Sequence, residues 1–145
     1  MGANRSDLGF LGEPESPELS AAECRRRLRS ARTGRVAWSA PDGPYVFPVT
    51  SLWRNGCIVF RTSPDGLLSA LRLRTYVAFQ IDSVEESEAW SVLVRGVAEA
   101  IQQPDDLIEL WEDEGLVPRA GGDRSTFIEI RPWTVTGRRY VLLSD

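Results

Sequence analysis

The feature that most constrains the fold of this chain is the dipeptide Asn55-Gly56, which separates two apolar segments, 45–53 and 57–62. Asn-Gly between strand-like segments is the strongest short-range signal of a two-residue hairpin, because both turn positions need a positive φ. The flanking segments are rich in the β-branched and aromatic residues that strands favour. The centre of the chain is therefore predicted to be antiparallel β-sheet.

Further strand-like segments lie on both sides of this hairpin, at 36–40, 76–82, 90–100, 126–130 and 134–143. Pro48 favours an edge position or a bulge, and Gly96 marks a place where a closed sheet can bend. Helices are predicted at 20–32, 64–72 and 104–114, and Ser20 with Glu23 forms a capping box at the start of the first. The sequence predicts a mainly β fold, a six- or seven-stranded antiparallel barrel with peripheral helices.

The length of 145 residues suits a single domain. Residues 1–17 combine Gly, Asn and Pro with little periodicity, so we expect a loose N-terminal tail before one domain at 18–145. No apolar run reaches membrane-spanning length and no signal-like segment is present. With two cysteines, too few for a disulfide framework, the chain is expected in the cytoplasm, with no membrane partner.

Composition excludes several classes of chemistry, since the chain has no His and all 17 basic residues are Arg. An imidazole base, a His-ligated metal, a Lys Schiff base and a P-loop lysine are all ruled out. The net charge of -4 argues against a nucleic-acid partner, so we interpret the basic run Arg25–Arg29 as a solvated helix face. Cys57 is interpreted as a buried apolar residue, because no imidazole is available to activate it.

Four ordered segments resemble the pyridoxamine phosphate oxidase-like proteins, the FMN-binding split β-barrels, and more narrowly their short actinobacterial-type members. The segments are Gly34-Arg35-Val36-Ala37 with 43–49, then 59–64 (VFRTSP), then 77–82 with 90–99, and finally 128–132 with 136–139. The likeness spans roughly residues 20–140. No single segment is specific to this family, whereas the four segments in this order are much stronger evidence for the resemblance.

The resemblance implies a homodimer that binds one flavin nucleotide in each of two grooves between the chains. It implies phosphate contacts from Arg61, Thr62 and Ser63. It also implies that the backbone near Val49, Thr50 and Ser51 lines the ring edge. The full set of residues that the resemblance places at the cofactor is Pro48, Val49, Thr50, Ser51, Arg61, Thr62, Ser63, Leu68, Gln80, Trp90 and Ser91. Trp90 and Ser91 would approach from the other chain. No catalytic residue and no metal ligand is assigned.

The phosphate loop departs from the family pattern, which reads Arg-Thr-x-Pro-Gly-Ser-Lys-Leu. Asp65, Gly66 and Leu67 stand at the Gly, Ser and Lys positions, and Thr50 replaces the family's Asn at the ring edge. A lysine would add a charge-assisted contact to the phosphate, and a carboxylate at a helix N-terminus would repel it. We expect the changes at Leu67 and Asp65 together to cost about 3 kcal/mol, so that FMN binds about a hundredfold more weakly.

Three functions remain open from the sequence. The first is a flavin-dependent oxidoreductase of unknown substrate, in which the flavin carries the chemistry. The second is a reductase that uses the deazaflavin coenzyme, whose long anionic tail suits a groove rich in arginine. The third is a cofactor-free dimeric barrel that serves as a binding or interaction module, and Asp65, Gly66 and Leu67 favour it. Nothing in the sequence selects a substrate.

Overall fold

The computed structural model describes residues 18–63, 66–102, 110 and 126–141. The elements in chain order are α1 (Ala21–Ser30), β1 (Thr33–Ala40), β2 (Gly43–Arg54), β3 (Cys57–Thr62), a 3-10 helix (Leu67–Arg72), β4 (Thr75–Val84), β5 (Glu88–Ala100) and β6 (Thr126–Val141). The predicted tail at 1–17 lies outside the described residues. So does the predicted helix at 104–114, apart from Leu110.

The six strands are antiparallel and follow the order β1-β2-β3-β6-β5-β4 around a barrel. The barrel closes because β1 also pairs with β4, although this pairing joins only Arg35–Ala37 to Ala78–Gln80. Asn55 and Gly56 have φ angles of 52° and 78° and form the predicted turn between β2 and β3. The mainly β, antiparallel barrel with peripheral helices is confirmed.

Successive side chains along each strand point alternately into a packed interior and toward an outer surface. Most of the largest fully buried side chains in the interior are aromatic or β-branched, among them Val36, Phe60, Phe79, Val92, Val94, Ile128 and Ile130. Helix α1 packs against this core through its buried residues Cys24 and Leu28. Ser20 caps the helix by accepting a hydrogen bond from the Glu23 amide (3.1 Å), as the capping box predicts.

β6 is one continuous strand, so the prediction of two separate strands at 126–130 and 134–143 was wrong. Arg95 pairs with Thr134 and Gly96 pairs with Pro132, which leaves Trp133 as an extra residue in β6. This bulge bends the strand around the proline without ending the pairing on either side. Gly96 permits the bend, because a Cβ there would lie 2.4 Å from the carbonyl oxygen of Arg131.

The segment after β3 forms a 3-10 helix over Leu67–Arg72, not the longer helix predicted at 64–72. Its buried residues, Leu68 and Leu71, are three positions apart, the spacing that a 3-10 helix places on one face. No side chain caps its first residue, and residues 64 and 65 lie outside the described part of the chain. Within the described ranges, no helix has the length and hydropathy needed to cross a bilayer.

Candidate functional site

Four of the predicted cofactor residues point outward on neighbouring strands: Pro48, Thr50, Gln80 and Ser91. Arg35 of β1 lies between them, paired with Pro48 on one side and with Gln80 on the other. Because paired residues of antiparallel strands project from the same side of the sheet, these side chains share one surface. We call it the outer face.

Arg35 forms a small polar network on the outer face. Its Nη1 donates hydrogen bonds to Gln80 Oε1 (3.2 Å) and to Asp82 Oδ1 (3.3 Å), and Gln80 Nε2 donates to Asp82 Oδ2 (3.3 Å). Arg35 and Asp82 border a cavity of about 290 Å³ that Thr33 and Pro48 also line. The exposed ion pair between Arg35 and Asp82 contributes little to stability. The main effect of the network is therefore to orient the Gln80 amide.

Arg35 and Asp82 were missed by the sequence reasoning. They are 47 residues apart, and only the register between β1 and β4 brings them together. The signal available in the sequence was a positive charge just before one predicted strand and a negative charge at the end of another, which does not specify a pair until the register is known.

The predicted phosphate residues lie at the end of β3. The guanidinium carbon of Arg61 is 5.3 Å from the centre of the Phe127 ring. The buried hydroxyl of Thr62 donates to the carbonyl oxygen of Ser63 (3.4 Å), which also accepts from the Gly66 amide (3.3 Å). These bonds fold the chain tightly around Ser63 before the 3-10 helix begins.

Gly66 has a steric role in this turn. A Cβ at Gly66 would lie 2.7 Å from Ser63 Oγ and 3.7 Å from Thr62 Oγ1, so a side chain there would displace the Ser63 hydroxyl. The glycine at the family's serine position is therefore explained by close packing of the two hydroxyls. Asp65 lies outside the described residues, and its expected repulsion of a phosphate stays a prediction.

The end of β3 adjoins the outer face. Pairing between β2 and β3 ends at Ser51 opposite Phe60, so Thr50 and Arg61 are the next residues along the two strands. Both are partly exposed, whereas the neighbours Phe60 and Thr62 are buried. The outward-facing positions thus run from Arg61 past Thr50 to Gln80, and we call this band the polar strip.

Comparison with known proteins identifies the family of this barrel. A sequence model described as pyridoxamine 5'-phosphate oxidase matches residues 20–139. The chain belongs to the pyridoxamine 5'-phosphate oxidase family. It is also 30% identical over 134 residues to the protein Rv0080 of Mycobacterium tuberculosis, covering 88% of this chain and 87% of that protein.

Two solved structures illustrate the shared fold. The FAD binding protein of Mycobacterium smegmatis is 30% identical, with 87% of this chain and 99% of that chain covered and a TM-score of 0.75. A FAD-binding protein of Mesorhizobium loti has 24% identity and a TM-score of 0.65, with coverage of 84% and 96%. At that lower identity the second comparison supports the fold alone.

Other residues that the family resemblance assigned to the cofactor point away from the outer face. The side chains of Val49 and Ser51 are 8% and 3% exposed and lie in the barrel interior, so only their backbone borders the polar strip. Leu68 is 5% exposed and packs in the core. The structure does not bring these three side chains together with Gln80 and Arg61.

Trp90 lies under helix α1. The guanidinium carbon of Arg27 is 4.4 Å from the centre of its ring, and its indole Nε1 is buried without a hydrogen-bond partner among the described residues. The ring is part of the packing around the core. Ser91, the next residue, is the one that faces outward beside Asp82.

Cys24 is buried in the core, whereas Cys57, interpreted from the sequence as buried, is only partly buried. Burial and the nearby Glu129 carboxylate raise the pKa of the Cys57 thiol above its usual value, and burial also raises the pKa of the Cys24 thiol. A raised pKa lowers the thiolate fraction, which is the nucleophilic form. Across the described ranges, no group of three or more His, Cys, Asp or Glu residues is placed to bind a metal ion.

Proposed function

We propose that this member of the pyridoxamine 5'-phosphate oxidase family binds a flavin nucleotide on its outer face. The polar strip carries the proposal, because it aligns residues of β2, β3 and β4 on one surface. The phosphate end of the flavin lies at Arg61 and Ser63, and the ring lies along Thr50 and Gln80. The similarity to the Mycobacterium smegmatis FAD binding protein supports a flavin as the ligand.

The side chains of the polar strip fit such a ligand. A phosphate needs cationic and hydroxyl donors, which the Arg61 guanidinium and the Ser63 hydroxyl provide. The flavin ring carries hydrogen-bond donors and acceptors along one edge, and the Gln80 amide offers both. The phosphate end has fewer cations than the family loop, because Leu67 stands at the lysine position. We therefore propose FMN as the cofactor, bound weakly.

A bound flavin supplies hydride or electron transfer. The chain itself binds and orients the ring, which suits a protein without His or Lys. We propose a flavin-dependent oxidoreductase on this basis, acting in the cytoplasm on an unassigned substrate.

We propose a homodimer, with the flavin between two copies. Large apolar side chains remain exposed on the outer surface of the barrel, including Val46 (63%), Tyr76 (74%) and Trp133 (50%). Exposed apolar patches of this kind are typical of interaction surfaces. Light scattering should give twice the chain mass of 16.2 kDa, and a monomer at micromolar concentration would refute the dimer.

The test of flavin binding is a titration of the flavin-free protein with FMN and, separately, with FAD, followed by quenching of flavin fluorescence. The variant Arg61→Ala is expected to abolish FMN binding. The matched control is Arg29→Ala, which removes an exposed arginine of α1 far from the strip in sequence. Equal affinity of the two variants for FMN would refute a phosphate site at Arg61.

A second candidate function is a cofactor-free barrel that serves as an interaction module. The observation that favours it is Leu67, whose side chain is 45% exposed at the position where the family has a lysine. This candidate requires that neither FMN nor FAD nor the deazaflavin coenzyme binds at micromolar concentration. Saturable binding of any of the three would exclude it.

A further inference from the structure

The turn between β2 and β3 contains an asparagine that is followed directly by a glycine. The chain has two asparagines, Asn4 and Asn55, and only Asn55 precedes a glycine. Asparagine is a thermolabile residue, because the backbone nitrogen that follows it can attack the carbonyl carbon of its side chain. Glycine has no Cβ, so no side chain shields the nitrogen of Gly56 from this reaction.

The structure leaves this dipeptide open to solvent. Asn55 and Gly56 are both exposed, and a Cβ built at Gly56 would have no neighbouring atom within 4 Å. Within the described ranges, no hydrogen bond holds the amide group of the Asn55 side chain. The side-chain carbonyl of Asn55 is therefore unrestrained and can turn toward the Gly56 nitrogen.

The turn between β1 and β2 offers a contrast. Asp42 precedes Gly43 there, but its carboxylate accepts a hydrogen bond from the Tyr45 hydroxyl. An ionised carboxylate also reacts poorly with nucleophiles, because it is already negatively charged. Attack by the following nitrogen is therefore disfavoured at Asp42 and favoured at Asn55.

The backbone at Asn55 can leave its turn conformation without global unfolding. Asn55 has a φ angle of 52°, and the pair formed by Arg54 and Cys57 borders the turn. Opening at the end of a hairpin requires the loss of few bonds, and such local opening costs less than global unfolding. Loss of that one pair frees the Asn55 backbone to rotate.

We propose that Asn55 is a site of spontaneous deamidation. The Gly56 nitrogen gives its proton to hydroxide and bonds to Cγ of Asn55, which closes a succinimide ring. The bond between Cγ and Nδ2 breaks, and the nitrogen leaves as ammonia after it takes a proton from water. Water then opens the ring at either carbonyl. Opening at Cγ gives aspartate, and opening at the backbone carbonyl gives isoaspartate, whose main chain runs through Cβ and Cγ.

The isoaspartate product adds one main-chain carbon to a two-residue turn. Loop length and turn type fix the register of a hairpin, so the pairing of β2 with β3 between Ser51 and Phe60 is weakened. Arg61 lies about 20 Å from Asn55 along the strand, so any effect on the polar strip passes through this pairing. Weaker flavin binding by this form rests on the proposed function, whereas the deamidation does not.

The test follows the full chain during incubation at mildly alkaline pH, by mass spectrometry of its proteolytic peptides. The peptide with Asn55 should gain the mass difference between a hydroxyl and an amino group, at a rate that rises with hydroxide concentration. Isoaspartyl methyltransferase then labels the isoaspartate form. The variant Asn55→Gly keeps a dipeptide suited to the turn and lacks the reacting carbonyl, so its peptide should stay unmodified.

Two results would overturn the proposal. The first is an Asn55 that stays intact in the folded protein while the same residue is converted in the urea-unfolded chain, because the hairpin would then protect the amide. The second is conversion of Asn4 as fast as that of Asn55, because Asn4 is followed by Arg5 and serves as the internal control.

The effect on the hairpin is measured on the deamidated protein, which ion exchange separates by its added negative charge. The matched control is Asn55→Asp, which carries the same charge on a normal main chain and keeps a dipeptide suited to the turn. Amides of β2 and β3 should exchange with deuterium faster in the isoaspartate form than in this control. Equal exchange would refute the effect on the register.

FMN titrations of the same proteins separate this inference from the flavin site. Equal FMN affinity of the wild-type and isoaspartate forms would refute the effect on flavin binding and retain the flavin site. Absence of FMN binding in every form would refute the flavin site, while the peptide masses still decide whether Asn55 is deamidated.

Discussion

Restoring the family's lysine by the change Leu67→Lys tests the phosphate end of the proposed flavin site. Leu67 is 45% exposed, so the substitution removes little buried surface and leaves the new ammonium group in contact with water. A charge-assisted contact that is shielded from water contributes about 1.5–3 kcal/mol of binding free energy. An ion pair that is exposed to water contributes about 0.2–1 kcal/mol. A half-exposed position falls between them, so we expect about 1 kcal/mol, or about fivefold tighter FMN binding.

The assay is an FMN titration followed by fluorescence quenching, repeated at two salt concentrations. The matched control is Leu73→Lys, which adds the same charge at the other end of the 3-10 helix, where the side chain is 81% exposed. Long-range attraction is screened within about 10 Å at 0.1 M salt, so we expect the control to change affinity less than about twofold.

Two outcomes would refute the reasoning. Equal tightening by Leu67→Lys and Leu73→Lys would show a general effect of net charge and not a contact at the phosphate. An unchanged FMN affinity in the Leu67→Lys protein would show that the phosphate does not lie beside the start of the 3-10 helix.

Three further predictions concern stability and reactivity. Gly96→Ala places a Cβ 2.4 Å from the Arg131 carbonyl, and we expect it to lower the free energy of unfolding in urea by about 3 kcal/mol; an unchanged midpoint would contradict the packing at the bulge. The hydrogen bond from Arg26 holds the pKa of Glu23 below its usual 4.5, so this carboxylate stabilises the fold above that pH and the stabilisation is lost as the pH falls further. Glu23→Gln should therefore flatten the acid limb of a stability-pH curve. Burial raises the pKa of the Cys57 thiol. In the folded protein this thiol should therefore react more slowly with a thiol reagent at pH 7 than the same thiol does in the unfolded chain.

The local elements of the fold were predictable because their determinants are close in sequence. Asn55 and Gly56 form a turn through their own φ angles, and Ser20 caps a helix that begins at the next residue. The continuity of β6 was not predictable, because Pro132 reads as a break unless the bulge opposite Gly96 is known.

The candidate site was predictable only in part. Thr50, Gln80 and Arg61, which the family resemblance assigns to the cofactor, lie on the polar strip, and their contact with a cofactor stays a prediction. Trp90, which the resemblance assigns to the cofactor, lies beneath α1 and packs against the core. Pairs that depend on register or on closure of the barrel, such as Arg35 with Asp82, have no local signal.

The pairing between β1 and β4 is short, so the barrel should open more easily between these two strands than between the others. We call this junction the seam. Only Arg35–Ala37 and Ala78–Gln80 are joined there, whereas β5 and β6 pair along almost their whole length. Backbone amides at this seam should exchange with deuterium before those of β5, because local opening requires the loss of few bonds. Arg35 and Gln80 lie on opposite sides of the seam, so a ligand that spans both would hold the barrel shut and slow that exchange.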